Sequence, residues 1–175
     1  MTGRHGGGHT LGVAIEIPQP FGRQLDDMRG RFTPDDGDMP AHVTILAPLD
    51  VDADVMDAVL AHLAAVAAST PPFRLVLRGS GTFRPVSPVV FVTVAEGISA
   101  CEQLERRVRS GDLAVETRFP YHPHVTIAHD VPEPDLDRAL EELADFRADM
   151  RIGSIGLHEN IDGRWRLVRE FDLGG

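Results

Sequence analysis

His42-Val43-Thr44-Ile45 returns unchanged as His124-Val125-Thr126-Ile127. With 8 histidines and 9 threonines in the chain, chance supplies about 0.4 copies of His-x-Thr, so one copy alone carries little weight. Two identical tetrapeptides at matching places in the chain carry far more. Side chains alternate across a strand, so in each copy His and Thr share one face while Val and Ile share the other. The apolar pair can enter a core while the polar pair looks into a cleft.

Outward from the first copy, residues 11–17 alternate as a strand with Val13, Ile15 and Ile17 on one face. Pro18 and Pro20 end it, because proline cannot donate to a ladder. Residues 21–32 follow as a short helix, and 33–40, rich in Pro, Asp and Gly, form a loop into the strand 42–49. Val55, Met56, Val59, Leu60, Leu63, Val66 and Ala67 recur at three- and four-residue steps, which predicts a helix over 55–68 behind Asp52 or Asp54. Residues 73–77 then alternate as a strand, and Gly79, Ser80 and Gly81 predict a turn.

Around the second copy the plan repeats. A strand is predicted at 89–94, a helix at 100–110 and a strand at 121–131, entered from a proline-bearing loop. Leu136, Ala139, Leu140, Leu143 and Phe146 stripe the next helix, with Arg138 and Glu142 four apart. Residues 151–159 and 165–172 close the chain as a hairpin around 160–163. The two motif strands are 82 positions apart, and the strands before them, at Val13 and Phe91, are 78 apart. A nearly constant lag is the mark of an internal duplication. The expected organisation is a tail over residues 1–10 and one two-lobed domain over 11–175, its halves meeting near residue 88.

A chain of 175 residues can bury roughly 70% of its unfolded surface, enough for a sizeable core. Hydrophobic residues at 42% and charged residues at 25% are the mix of a globular protein, not of a disordered or fibrous one. The net charge is −10, and all 17 basic residues are arginine. So acidic a chain is a poor match for long duplex nucleic acid, whose affinity comes from cationic contacts to phosphate. The single cysteine, Cys101, cannot form an internal disulfide, and no apolar run approaches 18 residues. The expectation is a cytoplasmic monomer without a membrane segment.

Histidine, with an ordinary pKa of about 6.5, can take or give a proton near neutrality. If the halves pack about a pseudo-twofold axis, His42 and His124 face each other across one cavity with Thr44 and Thr126 beside them. One imidazole can take a proton from an incoming water while the other gives one to a departing oxygen, and the hydroxyls can donate to non-bridging oxygens. In-line displacement at phosphorus needs that arrangement, so a phosphodiester is the natural substrate class, with no cofactor required. A metal reading also exists, because His122 and His124 are two apart and His129 and His42 could join them. No Cys, Asp or Glu accompanies them at a familiar zinc spacing.

The paired His-x-Thr motifs resemble those of the two-histidine phosphoesterase superfamily, in its 2'-5' RNA ligase and cyclic phosphodiesterase branch. The run from Phe119 to Ala128, with Pro123 before His124, resembles that family's second motif. Gly81-Thr82-Phe83-Arg84-Pro85 and the strand after it resemble its central glycine–phenylalanine turn. The resemblance spans about residues 11–173. It implies a duplicated, bilobal α+β fold with two antiparallel sheets facing a central cleft and helices outside. It also implies His42 and His124 as the acid–base pair opening a 2',3'-cyclic phosphate or a similar diester, with Thr44 and Thr126 on the phosphate. The implied partner is a small cyclic nucleotide or an RNA terminus bearing a cyclic phosphate. Where the family commonly has a basic residue two positions past the second motif, this chain has His129. Arg84 and Arg118 are candidates to supply that charge.

Other residues keep two readings. Tyr121 is either a stacking or phosphate-donating group or a packed strand-start tyrosine. Phe83 is either turn packing or the wall of a base pocket. Trp165 reads as a core anchor, the acidic stretch 133–145 as a solvated helix face, His5 and His9 as tail residues, and His62 as a helix residue without an evident partner. Competing functions are RNA end-joining at the same site, a binding module without turnover, and a plain interaction domain.

Overall fold

The computed structural model describes residues 7–33 and 39–175. Its elements run β1 (His9–Glu16), α1 (Phe21–Phe32), β2 (His42–Val51), α2 (Met56–Ala68), β3 (Phe73–Thr82), β4 (Val89–Glu96), α3 (Ile98–Val108), β5 (His124–His129), α4 (Glu133–Glu142), β6 (Arg147–Ile152), β7 (Ser154–Ile161) and β8 (Arg164–Asp172). They build two four-stranded sheets, β2-β1-β7-β8 and β5-β4-β3-β6, in which every pairing is antiparallel. The fold is α+β, with helices outside two sheets that face a cleft.

Both motif strands are edge strands, β2 in one sheet and β5 in the other, and these two edges touch. The helices lock them crosswise: α1, which follows β1, packs on β5, while α3, which follows β4, packs on β2. Val43, Ile45, Val125 and Ile127 are each no more than 2% exposed. Each such burial stabilises the fold by about 1.5–3 kcal/mol. The alternation that buries them turns His42, Thr44, His124 and Thr126 to the opposite face of their strands, where all four are half-buried.

Local chemistry explains several boundaries. Pro132 caps α4, Pro134 sits in its first turn, and Glu133 and Asp135 complement the helix dipole there. Gly97, at φ +95°, opens α3 where a Cβ would lie 2.7 Å from the Arg74 carbonyl oxygen. Asp162 and Gly163, both at positive φ, turn the β7–β8 hairpin, with Ile161 opposite Arg164.

Elsewhere the chain departs from its sequence pattern. Residues 79–81 are not a turn: β3 continues to Thr82, and Gly79 at φ +72° marks a shift in the pairing with β4 between Leu77 and Ser80. The helix predicted to reach Phe146 ends at Glu142, and β6 follows with Ala148, Met150 and Ile152 inward and charged residues outward. The single strand expected over 151–159 is divided at Gly153, with β6 pairing β3 and β7 pairing β1, so the chain crosses there from one sheet to the other. β5 starts only at His124, since Pro123 lacks a ladder donor. His9 and Thr10 belong to β1 opposite Val51 and Asp50, and His9 bonds the Glu159 carboxylate. Residues 1–6 of the expected tail, with His5, and the loop centre 34–38 lie outside the described residues.

Candidate active site

Each motif histidine is held in the same way. The Nδ1 of His42 lies 2.7 Å from the Pro40 carbonyl oxygen, and the Nδ1 of His124 lies 2.7 Å from the His122 carbonyl oxygen. A carbonyl only accepts, so Nδ1 carries the proton in both rings. The neutral ring then presents Nε2 as its acceptor, the nitrogen that can take a proton from a substrate. The two strands also exchange hydrogen bonds across the lobes. The Tyr121 hydroxyl donates to the Thr44 carbonyl at 2.8 Å and the Thr33 hydroxyl donates to the Ile127 carbonyl at 3.4 Å.

The loops that deliver the two strands are pinned by matching devices. On α1, Arg29 pairs with Asp26 and bonds the Met39 carbonyl, and Asp26 accepts from the Ala41 amide at 2.7 Å. On α3, Arg109 pairs with Glu105 and donates to the Val115 carbonyl at 2.9 Å. An arginine fork held at two points fixes the loop it touches.

Around His124 the surroundings are aromatic. Its ring centroid is 5.0 Å from that of Phe83, edge-on, and 5.2 Å from that of Phe91. Phe83 and Phe91 are 4.5 Å apart, and His122 completes the group 5.7 Å from His124. Gly81 makes room for it, since a Cβ there would stand 2.7 Å from the Phe91 ring. Burial lowers the proton affinity of His124 below the ordinary 6.5, opposed by the bond to the His122 carbonyl and reinforced by the His122 ring charge.

A cavity of about 930 Å³ opens beside this group, lined by Thr44 to Leu49 of β2, Phe83, the loop of residues 115–122, Glu105, Arg109 and His124. Of the residues singled out from sequence, the cavity gathers Thr44, Phe83, Arg118, Tyr121 and His124. His42 and Thr126 stand on the same two strands outside its lining. Arg84 is turned to α4, bonded to Glu133 at 2.7 Å and Asp137 at 2.8 Å, so its charge is already balanced. His129 sits at the far end of β5 beside Asp130 at 3.1 Å. Among the described residues no group of three His, Cys, Asp or Glu side chains has metal-holding geometry. His62 has a partner after all, the Val108 carbonyl at 3.1 Å. Sequence reading missed Phe91, Glu105 and Arg109. The i, i+4 acid–arginine spacing on α3 was the available signal for the last two.

Comparisons with known proteins give the family and the fold. The family model described as the 2'-5' RNA ligase superfamily matches residues 17–164. A Geobacillus kaustophilus protein whose name marks it as an inferred phosphoesterase is 25% identical over 174 residues, covering 94% of this chain and 96% of its own. A second, from Geobacillus sp. strain WCH70, is 27% identical over 147 residues, covering 78% and 80%. Among solved structures, Escherichia coli LigT in its apo form superposes with a TM-score of 0.71 at 22% identity, covering 96% of this chain and 99% of LigT. LigT complexed with 3'-AMP gives 0.69 at 20% identity, with the same coverage of both chains.

Proposed function

This chain belongs to the 2'-5' RNA ligase superfamily of two-histidine phosphoesterases, and from that premise we propose that it opens a 2',3'-cyclic phosphate or a similarly small cyclic phosphodiester. The observation that carries the reading is the matched pair of imidazoles. They stand on touching edge strands, each with Nδ1 bonded to a backbone carbonyl, which makes Nε2 the proton-exchanging nitrogen.

In the proposed step His124, whose proton affinity is lowered by burial, takes a proton from the attacking water through Nε2. The water oxygen bonds to phosphorus as the bond to one ribose oxygen breaks, and His42, which enters this step as the imidazolium with a second proton on Nε2, gives that proton to the departing oxygen. The product is an acyclic phosphomonoester, and transfer of one proton between the histidines resets the site. Thr44 and Thr126 donate to the non-bridging oxygens, whose charge shifts as the transition state forms. The scheme needs no metal. The acidic chain favours a short substrate or an RNA terminus, and the same proposal takes the protein as a cytoplasmic monomer. Cys101 is buried and its thiol is pushed up to about 12, which fits a thiol that stays unreactive.

With a 5'-hydroxyl in place of the attacking water, the same displacement would open the cyclic phosphate and join RNA ends, the reaction after which the superfamily is described. Incubating the protein with adenosine 2',3'-cyclic phosphate in the presence of a chelator tests the leading reading. A 2'- or 3'-monophosphate product is expected, with a bell-shaped dependence of rate on pH. Absence of turnover, or turnover abolished by the chelator, overturns it. Oligonucleotides bearing cyclic-phosphate and 5'-hydroxyl ends separate hydrolysis from joining.

A further inference from the structure

Phosphate chemistry uses only the end of the cavity at Thr44 and His124. The cavity as a whole, about 930 Å³, falls within the range of about 300–1,000 Å³ typical of small-molecule sites, and most of its lining is apolar. Val86 at 74% exposure and Phe119 at 57% are bared to water on its rim, and Tyr121 and Leu46 line it further in. Large apolar side chains with nothing to cover them suit a flat ring laid between them.

The charged residues of the lining are Glu105, Arg109, Glu116 and Arg118; Glu116 and Arg118 are exposed, while Glu105 and Arg109 form a pair. Glu105 is 4% exposed, and its Oε1 accepts from the Arg109 Nε. Arg109 Nη1 donates to the Val115 carbonyl at 2.9 Å. That leaves Glu105 Oε2 and Arg109 Nη2 without a hydrogen-bond partner among the described residues, on two paired residues that line the cavity. Oε2 is not sealed off from open space. A buried carboxylate with an unused oxygen beside a guanidinium with an unused N–H, both fixed before any ligand arrives, reads a donor next to an acceptor.

We propose, resting on the cyclic phosphodiesterase reading, that this part of the cavity is a nucleobase subsite selective for guanine. Among the common bases only guanine sets two N–H donors, at N1 and N2, beside a carbonyl acceptor, O6, along one edge. The N–H groups meet the Glu105 carboxylate and O6 meets the Arg109 guanidinium, while Phe119 and Val86 cover the ring. Uracil sets a single N–H, at N3, between two carbonyls, and adenine and cytosine present an amino group beside a bare ring nitrogen, so each gives the carboxylate fewer donors than guanine does.

The test is kcat/KM for the 2',3'-cyclic phosphates of guanosine, inosine, adenosine and cytidine. Guanosine is expected to exceed adenosine by about 10–100-fold, the factor that one or two lost hydrogen bonds to charged groups represent. Inosine, which lacks the N2 amine, should fall between them. Glu105→Gln should bring the guanosine-to-adenosine ratio down towards one, with circular dichroism as the control for folding. Should that variant not fold, the guanosine–inosine–adenosine series on the native protein still decides. Equal values for all four substrates overturn the subsite and leave the phosphodiesterase reading standing. If no cyclic phosphate is opened, calorimetry with guanosine and adenosine 3'-monophosphates judges the subsite separately. Tighter binding of the guanosine compound supports it and equal binding overturns it.

Discussion

The two motif strands present the same four residues from matching edges, yet they look out on different neighbourhoods. His124 is enclosed by Phe83, Phe91 and His122. His42 stands directly opposite Glu16 in the β1–β2 ladder, and paired residues of an antiparallel ladder point to the same face. Glu16 is itself held above the ordinary carboxylate range, by burial first and then by the charges of Glu170 and Asp26. One wall of the cleft is thus aromatic and the other acidic. An aromatic wall disfavours the charged imidazole of His124. The same tetrapeptide thus stands in unlike surroundings on its two strands.

The strongest way to break that pairing is to remove either imidazole. His42→Ala and His124→Ala should each lower kcat on a 2',3'-cyclic nucleotide by about 10²–10⁴-fold. The double variant should be little worse than either single one, because residues acting in one step are not additive. Near wild-type turnover in either variant would show that the second imidazole is not part of the reaction. Thr44→Ala and Thr126→Ala should each cost about 10²–10³-fold, if both hydroxyls meet charge that develops in the transition state. A loss confined to one of them would mean that the phosphate leans on a single lobe.

A second comparison concerns the core behind the motifs. Ile127 is fully buried on β5, with α1 of the other lobe's strand order packed over it. Ile127→Ala should destabilise the protein by about 2–5 kcal/mol in urea unfolding. Tyr121→Phe removes only the hydroxyl that bonds the Thr44 carbonyl across the lobes, and about 1 kcal/mol is expected. A Tyr121 effect as large as that of Ile127 would mean that the junction between lobes, rather than the packed strand, sets the stability of the site.

The repeated tetrapeptide and its period-2 burial were legible because a strand's alternation is local: four residues suffice to say which face is core. The crosswise packing of α1 on β5 and α3 on β2 was not, since nothing local in a helix tells which sheet it covers. Gly153 read as one position in a continuous strand, yet it is where the chain changes sheets, a fact written only in long-range pairing. Arg84 shows the same limit for charge. Its position beside the glycine–phenylalanine segment suggested phosphate, and the fold aims it at Glu133 and Asp137, some fifty residues away. Phe91 was legible as a strand residue but not as a neighbour of His124, because that contact depends on Gly81 leaving space one strand over.

The smallest expected effect bears most directly on the contrast between the walls. Because the folded-state pKa of His124 lies below the ordinary 6.5, between those two values the unfolded chain binds a proton that the folded chain refuses. Its contribution to stability is therefore complete above pH 6.5 and is lost as the pH falls through 6.5 towards the folded-state value. His158, buried and with an unpartnered Nδ1, acts in the same direction. Thermal melts of the wild type should show stability declining as the pH is lowered below 6.5, and His124→Asn should flatten that decline without abolishing it, since His158 remains. Opening the aromatic wall with Phe83→Leu should let water reach the ring and raise the His124 titration towards 6.5, as followed by the NMR shift of its Cε1 proton. The low-pH limb of the rate profile should move upward with it. If Phe83→Leu left both unchanged, the depressed proton affinity of His124 would have to come from burial by its other neighbours and from the His122 ring, and Phe83 would be packing alone.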